Sequence, residues 1–375
     1  MIMVNKIAVI GAGLMGAGIA YVSAWNGFQV SIIDTKQEFV DKGMERIRTD
    51  VMKGIDKGKI SMSEAEGLMS RLHPSVNLEE AVKDADLVIE AIFENMDAKK
   101  EVFAKIDAAA PPHAILATNT SSLSIDELAT ATERPEKFIG MHYFSPVPAM
   151  KLLELVIGEK TAEKTITDVE AVGKTQGKKT VRAKNSPGFI VNRILNPAML
   201  EAIRMLERGE ATKEEIDTAM VNVGKAPAGP FTLGDFVGLD IAYNALSTLY
   251  RELGNCFTPP ATLKNLVEAG HLGMKTKRGF YSYGGEEIKP EPPKGADAQW
   301  IVERINIPAM REAMILVDDG IASVDDINMA MKLGASWPMG PFEMLDHFGV
   351  DKVRDFIKKL NEELGDCYSV PKYLG

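Results

Sequence analysis

The chain has little of what staples small domains or spans membranes. It carries two cysteines, Cys256 and Cys367, in 375 residues. Two thiols cannot make a disulfide framework, so a reducing cytoplasm is the expected setting, with both residues in inert packing roles. No run is long and apolar enough to cross a bilayer, and Met1 to Lys6 lacks a signal-peptide pattern. Basic residues are outnumbered, 43 against 53 acidic, for a net charge of −10. That balance argues against non-specific binding to nucleic acid or acidic membranes, although helix N-termini and a few lysines can still hold an anionic ligand. Histidine is scarce at five residues, and imidazole is the natural group for taking a proton near neutral pH.

What is present is an ordinary globular composition, 45% hydrophobic and 26% charged, long enough for two or three domains. Lys6 to Ile10 is a short apolar run followed at once by Gly11-Ala12-Gly13-Leu14-Met15-Gly16. A helix over residues 14 to 26 and a strand from Gln29 to Ile33, ending at Asp34, complete a βαβ unit. A helical excursion follows: Glu38 to about Lys57, then a second helix capped by Ser61 with Glu64 at capping-box spacing. Strands are predicted at Leu87 to Phe93, Ala114 to Thr118, Phe138 to Tyr143, Leu152 to Ile157 and Lys179 to Arg182. Such alternation implies a doubly wound, mostly parallel sheet. From Pro187 the pattern turns helical, with Ser186 as N-cap and Pro187 in the first helical position.

The helical half repeats itself. Arg193-Ile194 recurs 111 residues later as Arg304-Ile305, Pro197-Ala198-Met199 as Pro308-Ala309-Met310, and Glu201-Ala202 as Glu312-Ala313. Gly229-Pro230-Phe231 recurs as Gly340-Pro341-Phe342, and Leu253-Gly254 with Cys256 as Leu364-Gly365 with Cys367. Identities in one register mark two copies of one module, joined by the Pro-, Gly- and charge-rich segment Gly284 to Gly295. The expected architecture is an α/β, Rossmann-like doubly wound domain (residues 1–184) followed by two repeated all-α domains (185–283 and 297–375) around a linker at 284–296.

The glycine run has the context that makes it informative: it follows a strand, opens a helix, and Asp34 stands at the end of the next strand. Its backbone, with Leu14 and Met15 in the first helical turn, suits a pyrophosphate, and Asp34 suits a ribose 2′-hydroxyl, favouring NAD over NADP. Glu90 and Glu94, with Lys99 in the next helix, end another strand at the ligand edge, or are solvated loop charge. Thr118-Asn119-Thr120-Ser121-Ser122 ends the next; these groups either meet a cofactor or substrate, or Ser122 or Ser124 caps the following helix. His142 closes a strand, and Glu154 lies on the strand after Pro146-Val147-Pro148. A short stiff loop can bring the two together as a base and its orienter. Asn192, by contrast, has no amide equivalent in the second module, where Glu303 stands, so function is expected in copy one and scaffold in copy two.

With these residues assembled, the chain closely resembles the L-3-hydroxyacyl-CoA dehydrogenase family. The resemblance rests on the fingerprint, Val88 to Ala91, Asn119 to Leu123, the run Gly140 to Pro146, Lys151 to Val156, Ser186 to Arg193, and Lys275 to Tyr281. It implies an NAD-dependent enzyme of fatty acid metabolism and β-oxidation that oxidises an (S)-3-hydroxyacyl-CoA, short-chain such as 3-hydroxybutyryl-CoA, and needs no metal. The catalytic residues it implies are His142 as base, Glu154 as its orienter, and Ser121 and Asn192 as hydrogen-bond partners of the substrate oxygens. Cofactor contacts carried over are Gly11, Gly13, Leu14, Met15, Gly16, Asp34, Glu90, Glu94, Lys99, Asn119, Ser121, Ser145 and Lys275. Lys57 matches a position near the CoA phosphates. Ser145 departs from the family's usual Asn, which puts a nicotinamide-side contact in doubt. The tandem module resembles that of longer, multifunctional members, so copy two is expected to pack on copy one as an intramolecular pseudo-dimer. The chain is then either part of a fusion with an enoyl-CoA hydratase or a free-standing short form. Two other readings remain: a dehydrogenase of a free 3-hydroxy acid or sugar acid, and a non-catalytic, crystallin-like binding protein.

Overall fold

The computed structural model describes residues 4–285 and 294–375. It forms two compact units, one ending at Asn185 and the other beginning at Ser186. Most of the linker expected at Gly284 to Gly295 therefore lies outside the described residues.

The first unit alternates strands and helices: β1 (Lys6–Ile10), α1 (Leu14–Trp25), β2 (Gln29–Ile33), α2 (Gln37–Asp56), α3 (Met62–Ser70), β3 (Leu72–Ser75), α4 (Leu78–Val82) and β4 (Leu87–Glu90). It continues with α5 (Met96–Ala109), β5 (Ile115–Thr118), α6 (Ile125–Ala129), β6 (Phe138–Tyr143), β7 (Leu152–Ile157), α7 (Glu163–Thr175) and β8 (Lys179–Lys184). The eight strands form one sheet in the order β3-β2-β1-β4-β5-β6-β7-β8. All neighbours run parallel except β6 and β7. The order turns back between β1 and β4, which is where a doubly wound sheet opens a crevice at its C-terminal edge. The central strands are almost entirely apolar and buried, as a sheet covered on both faces requires. Two details depart from the sequence pattern. β3 was hidden in the predicted helical excursion; it carries Pro74, which an edge strand tolerates. β4 stops at Glu90 rather than Phe93, because the Glu90 carboxylate accepts the Ile92 N–H at 2.7 Å and turns the backbone away.

The second unit is helical: α8 (Val191–Glu207), α9 (Lys213–Asn222), α10 (Pro230–Val237), α11 (Leu239–Leu253), α12 (Ala261–Glu268), α13 (Ala298–Asp318), α14 (Val324–Gly334), α15 (Pro341–Phe348) and α16 (Val350–Leu364). α8 does not begin at Pro187 behind a Ser186 cap as expected. Gly188 and Phe189 take positive φ (77° and 51°), so the chain turns first and the helix starts at Val191. α8 packs along α13, and buried ion pairs join them: Arg193 Nε to Glu312 Oε2 and Arg304 Nη1 to Glu201 Oε2, each at 2.7 Å.

The expectation for the cysteines is overturned. Cys256 and Cys367 form a disulfide. Each sits in the 3-10 turn after α11 or α16. Both turns lie beside the mid-helix prolines Pro197 and Pro308 of the α8–α13 pair, and the Cα atoms are 5.1 Å apart. Among the described residues no helix is long and apolar enough to cross a membrane.

Candidate active site

The glycine run sits at the crevice point of the sheet. Gly11 has φ of 106°, and a Cβ on Gly16 would lie 1.8 Å from the Gly11 carbonyl oxygen, so only glycine permits this strand-to-helix turn. At Gly13 a Cβ would meet nothing within 4 Å. The backbone before α1 is therefore open to close approach, and the residues fit a dinucleotide pyrophosphate at the helix N-terminus. Asp34, just past β2, accepts the Ala12 N–H at 2.9 Å. Its other oxygen accepts the Thr35 N–H at 2.7 Å, so the carboxylate is fixed against the glycine turn.

Beyond β4 and β5 lies a network that sequence reasoning only half found. Glu90 and Lys99, expected at the cofactor, lie below the surface, 0% and 1% exposed. Lys99 Nζ lies 2.6 Å from Glu90 Oε1 and 3.4 Å from Glu94 Oε2, and Thr118 donates to Glu90 Oε2 at 2.6 Å. Glu94 is the exposed end of this chain of contacts. Its Oε1 accepts from the Thr120 hydroxyl at 2.5 Å, the Ser121 N–H at 2.9 Å and the Ser121 hydroxyl at 3.3 Å. Burial alone would raise the Glu94 carboxyl, but the Lys99 charge and these hydrogen bonds outweigh it and hold the group below its ordinary range. Thr118 and Thr120 belong to the hydroxyl run whose sequence reads equally well as ligand contacts or caps, and their hydroxyls donate to the carboxylates of Glu90 and Glu94. Ser124 is indeed the cap of α6, accepting from Glu127 N at 3.2 Å.

β6 and β7 carry the next pair. Antiparallel strands can be joined by a short loop, and residues 144–151 suffice here. The register sets His142 directly opposite Glu154. Opposed residues project on the same face, and His142 Nδ1 lies 2.6 Å from Glu154 Oε2. Glu154 is 0% and His142 6% exposed, so the pair works at short range in a poorly solvated setting. The Phe144 ring tilts against the imidazole, centroids 4.4 Å apart. Asn119 Oδ1 accepts the Tyr143 N–H at 2.9 Å, tying the end of β5 to the end of β6 beside His142. Ser145, exposed in the loop, precedes a cis peptide bond to Pro146.

Lys57 is exposed at the C-terminus of α2. Asn192 lies in the first turn of α8, where its carbonyl accepts from Asn196 Nδ2 at 2.6 Å. Lys275 Nζ pairs with Asp240 Oδ2 at 2.7 Å. The segment that follows docks on α10 through Asp235, which accepts the Phe280 and Tyr281 N–H groups at 2.9 and 2.8 Å. Among the described residues no group of His, Cys, Asp and Glu could hold a metal.

A doubly wound sheet with a glycine turn, a carboxylate just past β2 and a histidine–glutamate pair at one edge defines a nicotinamide-dependent dehydrogenase. Comparison with known proteins makes the class specific. Residues 6–186 match the 3-hydroxyacyl-CoA dehydrogenase NAD binding domain, and residues 188–283 and 300–374 match the C-terminal domain of the same family. The chain is 43% identical to the 3-hydroxybutyryl-CoA dehydrogenase of Clostridioides difficile over 279 residues, 74% of this chain and 99% of that one. The crystal structure of 3-hydroxybutyryl-CoA dehydrogenase from Escherichia coli superposes with a TM-score of 0.92 at 28% identity, covering 99% of this chain and 97% of that one. The fatty acid oxidation complex subunit alpha of Vibrio campbellii is 37% identical over 97% of this chain and 54% of its own length. The chain belongs to the 3-hydroxyacyl-CoA dehydrogenase family and is an NAD-dependent oxidoreductase.

Proposed function

We propose that the chain oxidises short-chain (S)-3-hydroxyacyl-CoA thioesters such as 3-hydroxybutyryl-CoA, reversibly, with His142 as general base. The observation that carries this reading is the buried contact of His142 Nδ1 with Glu154 Oε2 at 2.6 Å. With Nδ1 engaged, Nε2 is the nitrogen that takes the proton from the 3-hydroxyl. Glu154 fixes the tautomer and stabilises the imidazolium that results. NAD, when bound, accepts the hydride that leaves C3. Gly11, Gly13, Leu14, Met15 and Gly16 cradle its pyrophosphate, and Asp34 holds the adenine ribose and repels a 2′-phosphate. Glu94 and Ser121, braced from below by Glu90 and Lys99, line the nicotinamide side with Asn119 and Ser145; Lys275 is assigned to the same cofactor. Ser121 and Asn192 position the substrate oxygens, and Lys57 meets the CoA phosphates. Run in reverse, His142 is the acid that protonates the alkoxide of a 3-ketoacyl-CoA.

We read the second unit as two copies of one helical module, divided near residues 284–296, with the second copy standing in for a partner subunit. Helix order supports this: α8 to α11 and α13 to α16 correspond at the 111-residue separation that also relates Cys256 to Cys367. A cytoplasmic location is proposed from the substrates, which are made and used inside cells. The Cys256–Cys367 bond is then a disulfide that persists there, an exception to the usual rule. An enzyme that hydrates 2-enoyl-CoA, fused or associated, is the natural supplier of substrate.

The test is NADH formation from 3-hydroxybutyryl-CoA at neutral pH, with His142→Gln as control. The variant should lose about 100-fold or more in kcat, the ordinary contribution of a general base, while its NAD affinity stays unchanged. No activity in the parent, or full activity in the variant, overturns the reading. Equal rates on free 3-hydroxybutyrate overturn the thioester assignment.

A further inference from the structure

We propose that Lys178 is a positioning residue for the His142–Glu154 pair, holding the loop that joins their two strands through the carbonyl oxygens of Val147 and Met150. The proposal rests on the reading of His142 as the base.

Lys178 lies in the turn between α7 and β8 and is 7% exposed. Its ammonium donates to the Val147 carbonyl and, at 2.7 Å, to the Met150 carbonyl. Both belong to the loop of residues 144–151, whose first half carries Ser145. The loop's own bonds are few: Ala149 and Met150 N–H groups both reach the Pro146 carbonyl at 3.0 Å. Buried carbonyls need donors, and here one side chain supplies two of them. The same turn grips the strand end as well. Gln176 Oε1 accepts from the Tyr143 hydroxyl at 2.8 Å, and Gln176 Nε2 donates to Ser23 of α1 at 2.8 Å. Val147 closes the circuit by packing on α1, where a Cβ on Gly18 would stand 2.9 Å from the Val147 Cβ. The turn at 176–178 thus ties the residue after His142 and the loop before Glu154 to the helix that opens on the glycine turn.

The arrangement is costly, which argues against Lys178 as filler. Among the described residues it makes no ion pair with a carboxylate, and Lys151 adds like charge nearby. Burial first, then that repulsion, pushes the ammonium down to about 8. An apolar side chain of similar length would fill the space without this cost. What the lysine adds is its donors.

The test is a double-mutant cycle in the full chain. Lys178→Met should lower kcat for 3-hydroxybutyryl-CoA about 100-fold, the effect of misplacing a catalytic group by about an ångström, with NAD affinity unchanged. Lys178→Arg, which keeps charge and donors, should recover most of that loss. In a His142→Gln background Lys178→Met should cause no further loss, because both changes act through one imidazole. Full activity of Lys178→Met, or an equal loss in the His142→Gln background, overturns the proposal. A fully active His142→Gln chain instead overturns the dyad reading, so the two failures are distinct. Should Lys178→Met not fold, Lys178→Gln takes its place in the cycle, with a loss of about tenfold expected for losing charge but keeping donors.

Discussion

Replacing Glu154 by Gln changes one oxygen for an amide nitrogen in a fully buried site and leaves the volume nearly constant. In the parent, Oε2 lies 2.6 Å from His142 Nδ1, a hydrogen bond strengthened by charge whenever the imidazole is protonated. Hydrogen bonds to charged groups contribute about 1.5–3 kcal/mol, so losing the anion alone should lower kcat about tenfold to 150-fold. That floor applies if the amide turns its carbonyl oxygen toward Nδ1 and keeps the tautomer. If it presents its N–H₂ instead, the proton is driven to Nε2, the base is disarmed, and the loss approaches about 10⁴-fold. The glycine turn and Asp34 are untouched, so NAD affinity should hold. Steady-state NADH formation from 3-hydroxybutyryl-CoA gives kcat, fluorescence titration gives NAD affinity, and circular dichroism checks the fold. A folded Glu154→Gln chain with kcat within about threefold of the parent would refute the orienting role and leave Glu154 as a buried structural acid.

Three further outcomes are expected. Asp34→Ala removes the acceptor of the Ala12 N–H and should weaken NAD about tenfold, the worth of a charge-assisted bond, while narrowing the preference over NADP; an unmodified chain that already prefers NADP would contradict the assignment. Cys256→Ser opens a loop of sequence separation 111. By loop entropy it should lower unfolding free energy by at most about 4–5 kcal/mol, read by urea denaturation, and reductant should have the same effect on the parent and none on the variant. Glu94→Gln concerns pH. A carboxyl held below its ordinary value gives stability that is whole above that value and is lost as pH falls through the lower one. The urea midpoints of parent and variant should therefore converge on acidification below about pH 4, and a gap that widens there would show the sign to be wrong.

The dyad was legible because three local signals agreed. Both strands are apolar runs with clear limits, the proline-bearing loop is too short for a parallel crossover, and an antiparallel register then sets one residue against one partner. The glycine turn was legible for a similar reason, since strand, turn and acidic strand end constrain each other. Lys99 was legible as a site residue, but its burial, and that of Lys178, was not. A lysine in a charged helix or a Lys-Lys pair reads as solvated, and only tertiary packing shows that one sits between two glutamates and the other on bare carbonyls. β3 was lost because Pro74 speaks against a strand wherever the edge position is unknown.

The cysteines were misread by weighing composition above symmetry, and the correction follows from geometry. On the proposed reading of two copies of one module packed about a local two-fold, every off-axis contact is made twice, residue i on j and then j on i. Arg193 with Glu312 and Arg304 with Glu201 are such a reciprocal pair, both at 2.7 Å. A residue on the axis has no other partner to meet than its own equivalent. Cys256 and Cys367 stand at the separation that relates the arginines and the glutamates, and they are bonded to each other. The same reasoning locates the asymmetry. The N-terminal helix cap of the proposed module is kept in both copies, Asp217 to the Phe231 N–H at 2.9 Å and Asn328 to the Phe342 N–H at 3.0 Å. Asn192 corresponds to Glu303 at the same separation, and Glu303 pairs with Lys352 at 2.6 Å. On the proposed reading, what the fold needs is duplicated, and the amide assigned to substrate occurs once.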